Sequence, residues 1–327
     1  MVLEEAVDSL DTLGVEHAIL QSCADGAVLV LPEYGRVLGV WPHRRGENAL
    51  WINPDFLRGL RIGAKDDGWT NPGGDRMWLA PAAEFFVENA AKPGAQGVVP
   101  AAVDPGRYVR LPKRNCFFLE NRGDIRAWRA GDRVVFRMTR RFRPLDPDQI
   151  SSICGRTWLR QAGYEEEAVL EVQAGCPVST RLWNLTQVRP GGEARVPLRK
   201  YWGDTGLADL PAGSIGLAEG CAVIGFRGEG APKVGFRAEE VGSRVLYVEE
   251  RDDGHAQLLV RQFARAAPDE YDGHFLECAG DASEISCLSP AVGGPAGRRR
   301  VRWRMSLCAF SGRAEEVKAF ARSIAVA

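Results

Sequence analysis

The segment NPGGDRMWLAP, residues 71–81, combines side chains that could bind a sugar. Gly73 and Gly74 permit a backbone path, or a close approach of a ligand, that other residues resist. If the chain is extended after them, Arg76 and Trp78 lie on one side and Asp75 on the other. An arginine beside an exposed indole can hold a sugar, because the sugar stacks on the ring while the guanidinium binds hydroxyls or a carboxylate. The alternative, which these residues alone favour, is a turn salt bridge followed by a core tryptophan.

The apolar segment RLWNLTQV, residues 181–188, carries an amide on each face of a predicted strand. Asn184 lies on one face, and Gln187 lies on the other together with Trp183. Buried amides need partners, which can be backbone, water or a ligand. A hydrogen bond to a neighbouring loop and a ligand-binding role are equally supported.

Several carboxylates and a histidine are concentrated between residues 270 and 290. The cluster comprises Glu270, Asp272, His274, Glu277 and Glu284. A carboxylate in such a cluster can act as a general base when it is partly desolvated. A solvated turn is the simpler interpretation for most of these residues. Lys233, in the segment KVGF, is a further candidate for an acid or an anchor.

A ladder of three arginines, Arg300, Arg302 and Arg304, alternates with apolar residues near the end of the chain. Its period of two predicts that the arginines share one face of a strand. A solvated outer face is the favoured interpretation. The alternative is a site for polyanions such as acidic glycans.

The composition limits the classes of partner and cofactor. The chain has 327 residues, of which 26% are charged, and a formal net charge of -1. Near-neutral charge argues against nucleic acid or a membrane surface as a partner, and no apolar run approaches the roughly 20 residues that span a bilayer. The eight cysteines are scattered without a CxxC pair, which predicts reduced thiols in a cytoplasmic protein rather than a zinc site. Without a P-loop, GxGxxG, GxSxG or HExxH motif, we expect no cofactor and no metal.

Short segments with period-two alternation, bounded by glycine, proline and aspartate, dominate the chain and predict strands. Because most connections are too short for crossover helices, the sheets should be antiparallel. We predict an all-β protein, a single domain over residues 1–327, built as a large antiparallel sandwich. Two terminal helices are expected, one within residues 1–16 and one within residues 311–327, with Ser311 as the N-cap of the second.

Three segments in order, the GGDRxWLxP-like stretch, the WNLTQV strand and the E-I-x-x-LSP strand, resemble the galactose-mutarotase-like superfamily, which includes the aldose 1-epimerases. The nearest resemblance is to its uncharacterised bacterial members, over residues 17–310. It implies a β-supersandwich with a sugar groove on a concave sheet. It also implies that Glu284 is the base that takes the proton of the anomeric hydroxyl, that Arg76 and Trp78 face the groove, and that Asp75 supports the turn or binds a hydroxyl.

The sequence departs from the epimerase pattern at the catalytic acid. Gln187 stands where the epimerases place a histidine, and an amide cannot transfer a proton at neutral pH. No histidine occurs between His43 and His255, so the second epimerase histidine also lacks a counterpart. His274 could supply an acid from a different direction.

We therefore expect a carbohydrate-binding protein, and a sugar-processing enzyme of unassigned reaction: epimerase, lyase or hydrolase. Its ligand would be a small sugar or an oligosaccharide. The expected catalytic residues are Glu284 and His274. The expected substrate-binding residues are Asp75, Arg76, Trp78, Asn184, Gln187 and Lys233. A non-catalytic carbohydrate-binding protein and a protein-interaction sandwich without a sugar site are the alternatives.

Overall fold

A computed structural model describes residues 1–59, 69–88, 97–112, 116–199, 215–228, 233–271, 273–280 and 282–325. Within these ranges the strands form two sheets, and every pairing between named strands is antiparallel. In spatial order, the eight-stranded sheet contains β1 (Ala18–Ser22), β2 (Gly26–Leu31), β3 (Arg36–Trp41), β4 (Asp75–Ala80), β9 (Arg181–Gln187), β17 (Glu284–Leu288), β16 (Leu276–Ala279) and β13 (Lys233–Phe236). The ten-stranded sheet contains β11 (Gly216–Ala218), β12 (Cys221–Gly225), β10 (Glu193–Pro197), β14 (Arg244–Glu250), β15 (His255–Phe263), β18 (Arg300–Arg313), β8 (Arg160–Val172), β7 (Asp132–Pro144), β6 (Phe117–Ala127) and β5 (Tyr108–Leu111).

The two sheets pack face to face around one continuous apolar core. Alternate side chains along the strands form this core. In β7, Val134, Phe136 and Met138 point inward and are buried. The same core contains Val30 and Leu182 from the eight-stranded sheet. Large apolar side chains buried this way contribute about 1.5–3 kcal/mol each. The structure confirms the predicted all-β antiparallel sandwich.

In the part of the chain that the structure describes, five α-helices accompany the sheets: α1 (Leu3–Leu13), α2 (Pro54–Leu57), α3 (Ala82–Phe85), α4 (Pro147–Cys154) and α5 (Ala314–Ala325). Both predicted terminal helices are present. The N-cap prediction for Ser311 is wrong, because Ser311 lies inside β18 and is paired with Gln257 and Arg160 on the neighbouring strands. The three internal helices were not predicted. No described helix is long and apolar enough to cross a membrane.

The longer helices cover parts of the outer faces of the sheets. Helices α1 and α2 pack on β2 and β3, and their shared apolar cluster includes Leu10, Leu38 and Phe56. Helices α4 and α5 pack on the ten-stranded sheet around Leu258 and Phe310. The candidate site lies beyond α1 and α2, on the outer face of β4, β9, β17, β16 and β13.

Candidate functional site

One outer face brings together three of the predicted site residues from three neighbouring strands. Gln187 and Glu284 lie directly opposite each other on β9 and β17, and Arg76 lies on β4, the next strand across. Nη2 of Arg76 is 2.6 Å from Oε2 of Glu284, and the two side chains are only 7% and 13% exposed. The site hypothesis from the sequence required Arg76 and Glu284 to lie close together. The catalytic and binding roles of these residues stay predictions.

The guanidinium of Arg76 is largely desolvated and only partly paired. Its carbon lies 4.3 Å from the centre of the Trp78 ring, a cation–π contact. Nε and Nη1 of Arg76 are buried without a hydrogen-bond partner, and so is Oε1 of Gln187, within the described part of the chain. A buried polar group without a partner costs about 1–3 kcal/mol. These atoms therefore retain hydrogen-bonding capacity that the described residues do not use.

The expected role of Trp78 needs correction. Its side chain is only 8% exposed, and its ring packs at 4.8 Å from Phe86 and 5.7 Å from Trp183. It therefore presents no open face on which a sugar could stack, and it supports Arg76 instead. Trp183, which packs against Trp78, is a partly exposed ring on this face. Trp183 was not predicted as a site residue, although its alternation with Gln187 was the signal that could have identified it.

A buried ion pair lies behind Trp78. Nη2 of Arg36 is 2.5 Å from Oδ2 of Asp104, and the same oxygen accepts a hydrogen bond from Nε1 of Trp78 at 2.9 Å. Burial lowers the pKa of Arg36 to about 10, an effect that Asp104 opposes. Arg36 also donates to the carbonyl oxygen of Gly73 at 2.7 Å. This chain of contacts fixes both the indole and the turn that precedes β4.

Asp75 and Asn184, both expected among the substrate-binding residues, do not lie on the outer face with Arg76 and Glu284. Both are buried between the two sheets, where Oδ1 of Asp75 accepts from Nδ2 of Asn184 at 2.5 Å. Oδ2 of Asp75 lies 2.8 Å from Nη1 of Arg261 and accepts a hydrogen bond from the Tyr164 hydroxyl. Burial and then the Asp75 carboxylate raise the pKa of Tyr164 well above its usual range, so the hydroxyl stays a donor. Because Asn184 also donates to the backbone oxygen of Arg76 at 3.2 Å, this network positions Arg76 from behind.

The paired glycines before Asp75 allow β4 to begin in close contact with its neighbours. Gly73 has a φ of 92° and Gly74 a φ of 76°, a region that other residues rarely adopt. A Cβ on Gly74 would lie 2.2 Å from the carbonyl oxygen of Val37, and one on Gly73 would lie 2.4 Å from that of Trp51. Glycine is thus required here by backbone packing rather than by a ligand.

His274 and Lys233 lie at the far end of the same face and share one partner. Oε1 of Glu277 is 3.5 Å from Nδ1 of His274, and Oε2 is 3.2 Å from Nζ of Lys233. The imidazole rests against Gly235, where a Cβ would come within 2.2 Å of Nδ1. Neither predicted residue contacts Glu284 among the described contacts.

The rest of the acidic cluster does not converge on this face. Glu270 pairs with Arg298 at 2.6 Å, and Asp272 lies outside the described residues. Within the described ranges, no group of three or more histidine, cysteine or acidic side chains could hold a metal ion. All eight cysteines are free thiols.

No protein-family model and no curated protein matches the chain. Solved structures with a similar fold were found. A galactose mutarotase-like protein from Lactobacillus casei is 10% identical with a TM-score of 0.46, over 91% of this chain and 100% of the other. A galactose mutarotase-like protein from Clostridium acetobutylicum is 10% identical with a TM-score of 0.41, over 91% and 99%. A galactose mutarotase related enzyme from Lactobacillus acidophilus is 9% identical with a TM-score of 0.39, over 91% and 98%. These similarities extend over about nine tenths of this chain.

Proposed function

We propose that the outer face of β4, β9 and β17 binds a sugar, and that Glu284 accepts a proton from it. The observation that carries this proposal is the ion pair of Arg76 and Glu284, beside which three buried polar atoms have no partner among the described residues. These atoms are two donors of Arg76 and the acceptor oxygen of Gln187. A sugar hydroxyl both donates and accepts, so adjacent hydroxyls on one ring can satisfy such a mixed set.

The arrangement suits a pyranose ring in polarity. Trp183 offers an aromatic surface next to the polar group, and apolar faces of sugar rings pack on such surfaces. Glu284 receives one hydrogen bond from Arg76 through Oε2. Its other oxygen has no donor among the described residues and can accept a hydroxyl proton.

In an epimerase reaction, Glu284 would take the proton of the anomeric hydroxyl while the carbonyl forms and the bond from the anomeric carbon to the ring oxygen breaks. The ring oxygen would take a proton from a donor, and reclosure on the other face would give the second anomer. Gln187 cannot be that donor, because an amide does not release a proton at neutral pH. His274 remains the candidate in this chain. A lyase or a hydrolase would use the same base on a different bond.

The first experiment is a thermal-shift screen against galactose, glucose, galacturonate, glucose 6-phosphate and short oligosaccharides. A ligand at 100 times its dissociation constant stabilises a protein by about 2.7 kcal/mol, which is readily measured. We expect at least one selective ligand, and loss of its shift in Arg76→Met. Glu270→Gln is the matched control, because it removes a carboxylate from another arginine pair outside the site.

Glu284→Gln separates catalysis from binding. The amide keeps the shape of the side chain and removes the base, so an enzyme should retain the ligand and lose turnover, here followed as the change in optical rotation of a freshly dissolved anomer. A non-catalytic binding protein, which the amide at Gln187 favours, would keep the ligand and show no turnover before or after the substitution. If no sugar shifts the unfolding temperature, the proposal is wrong and a protein-interaction role is preferred.

A further inference from the structure

The part of the ten-stranded sheet that α4 and α5 leave uncovered carries an excess of arginine. We call it the arginine face: the outward positions of β6, β7, β8 and β18. Its charged residues are Arg122, Arg126, Arg133, Arg137, Arg141, Arg143, Arg300, Arg302, Arg304, Glu120, Asp124, Glu165, Glu167 and Glu171. Nine arginines against five carboxylates give this face a formal charge of +4, whereas the whole chain carries -1.

The predicted arginine ladder is part of this surface. Arg300, Arg302 and Arg304 have side chains that are 56%, 56% and 61% exposed, as the sequence pattern indicated. Their exposure and their partners on β8 fit a solvated face. A net charge of this sign, concentrated on one side of a slightly acidic molecule, also makes the face attractive to polyanions.

The charges are ordered in columns rather than mixed at random. A column of arginines on β7 and another on β18 flank a column of glutamates on β8. Glu171 is opposite both Arg137 and Arg300 in the strand register, and it lies 3.2 Å from the first and 3.3 Å from the second. The arginine columns on β7 and β18 are two strands apart and so are separated by about 9.5 Å. Successive residues on one face of a strand are about 6.7 Å apart.

We propose that the arginine face binds an acidic polysaccharide. A polyuronate carries carboxylates at intervals, with hydroxyls between them. Its carboxylates can pair with the arginine columns, where the guanidinium fork matches a carboxylate. Its hydroxyls can donate to the glutamate column, whose oxygens are acceptors.

The same columns disfavour nucleic acid. A DNA duplex carries one phosphate charge per about 1.7 Å of axis, so its phosphates would also meet the glutamate column. No described segment of this face projects as an element that could enter a groove. The outward positions of β6, β7, β8 and β18 that the helices leave uncovered include one aromatic ring, Phe118, and single strands bind through several stacked bases.

The test measures binding to immobilised polygalacturonate across a series of sodium chloride concentrations. The decisive variant combines Arg300→Gln, Arg302→Gln and Arg304→Gln. The matched control combines Arg44→Gln, Arg45→Gln and Arg58→Gln, three exposed arginines outside the arginine face. Both variants remove three positive charges and move the formal net charge from -1 to -4. Thermal unfolding of each variant shows whether the fold is intact.

We expect binding at low salt that weakens steadily as salt rises, because screening reduces contacts between exposed charges. The triple variant of β18 should bind at least tenfold more weakly than the control variant, and neutral galactan should not bind. Equal binding by the two variants, or no binding of the wild type at low salt, overturns the proposal. Tighter binding of an oligonucleotide of equal charge would reassign the face to nucleic acid. Because the arginine face is on the sheet opposite Arg76 and Glu284, these outcomes do not depend on the sugar site.

Discussion

Arg76 is held from three directions before any ligand arrives. The ring of Trp78 lies against its guanidinium, Glu284 pairs with Nη2, and Asn184 binds its backbone oxygen. A long side chain fixed in this way loses little further rotamer entropy on binding, which otherwise costs about 0.5–1.5 kcal/mol per side chain. If the proposed sugar binds here, it would supply partners for Nε and Nη1 of Arg76, which have none among the described residues.

Gln187→His tests whether the site lacks only a proton donor. The side chain at this position lies directly opposite Glu284, so an imidazole there would face the proposed base across the site. Imidazole exchanges protons near neutral pH, and general acid catalysis contributes about 10²–10⁴-fold. We expect the variant to accelerate galactose mutarotation at least tenfold over the wild type, measured by polarimetry.

Two controls accompany this variant. Gln187→Asn should give no gain, because it changes the size of the side chain without adding an acid. The combination of Gln187→His with Glu284→Gln should also give none, because the base is then missing. Equal rates in all four proteins would show that the two positions do not act on a common sugar.

At the scale of residues, strand alternation predicted which side chains share a face of a strand, but not whether that face is buried against the second sheet. It correctly placed Asp75 and Arg76 on opposite faces of one strand. It could not show which face meets the second sheet, because that depends on Arg261 and Tyr164, which come from distant parts of the chain. An acid and an arginine side by side therefore have unrelated roles. One belongs to the core, and the other lies on the outer face.

Strand β4 depends on Gly74 for its contact with β3. Gly74→Ala would place a Cβ 2.2 Å from the carbonyl oxygen of Val37, in addition to straining the backbone. Gly131→Ala is the matched control, because Gly131 has a similar φ of 75° and open space around its Cβ position. The control should cost about 1–2 kcal/mol in the free energy of unfolding from backbone strain alone. Gly74→Ala should cost about 1–3 kcal/mol more, since overpacking adds to it. Equal losses in urea titrations would mean that β4 shifts freely.

The strand pair β7 and β8 contains a buried and an exposed ion pair that can be compared directly. Nε of Arg140 is 2.5 Å from Oε1 of Glu166, and both side chains are inaccessible to solvent. Arg143 and Glu165, on the outer face of the same strands, are 3.0 Å apart and 40% and 35% exposed. Arg140→Met should destabilise the protein by about 3–5 kcal/mol, because it leaves a carboxylate buried and unpaired. Arg143→Met should cost at most about 1 kcal/mol.

A double variant completes the comparison. Arg140→Met combined with Glu166→Met should recover most of the loss, since two apolar side chains can replace a buried pair at little cost. Denaturant titration of the wild type, Arg140→Met, Glu166→Met and the double variant measures the coupling energy. If the double variant is no more stable than Arg140→Met alone, the loss comes from altered side-chain packing rather than from an unpaired buried carboxylate.

At the scale of elements, long strands were predictable and short helices were not. The 133–142 segment alternates over its whole length, and the observed β7 contains it. Helices α2 and α3 have four residues each, too few for a helical period to appear. Helix α4 had a readable start, since Asp146 caps it and Gln149 completes the capping box. Ser311 was misread because the pairing of β18 with two neighbours extends the strand past it.

The whole molecule joins its two sheets by charge as well as by apolar packing. Asp75 on the eight-stranded sheet pairs with Arg261 on the ten-stranded sheet, and Arg140 reaches across to the carbonyl oxygen of Gly35. Separation of the sheets would leave these groups without partners while still partly desolvated. The free energy of that partly unfolded state is therefore higher than the exposure of apolar surface alone would make it. A species with one folded sheet should not accumulate. The single domain over residues 1–327 stays a prediction.

Urea unfolding should therefore follow one transition when it is monitored by tryptophan fluorescence and by far-UV circular dichroism. Arg261→Met should lower the midpoint of both signals equally, because it breaks the pair that links the sheets. Arg304→Met, an exposed substitution in the same sheet, should leave both midpoints nearly unchanged. Two separate midpoints in Arg261→Met, with one signal close to its wild-type value, would show that the sheets unfold independently. In that case the buried ion pairs would stabilise the individual sheets rather than the packing of one sheet against the other.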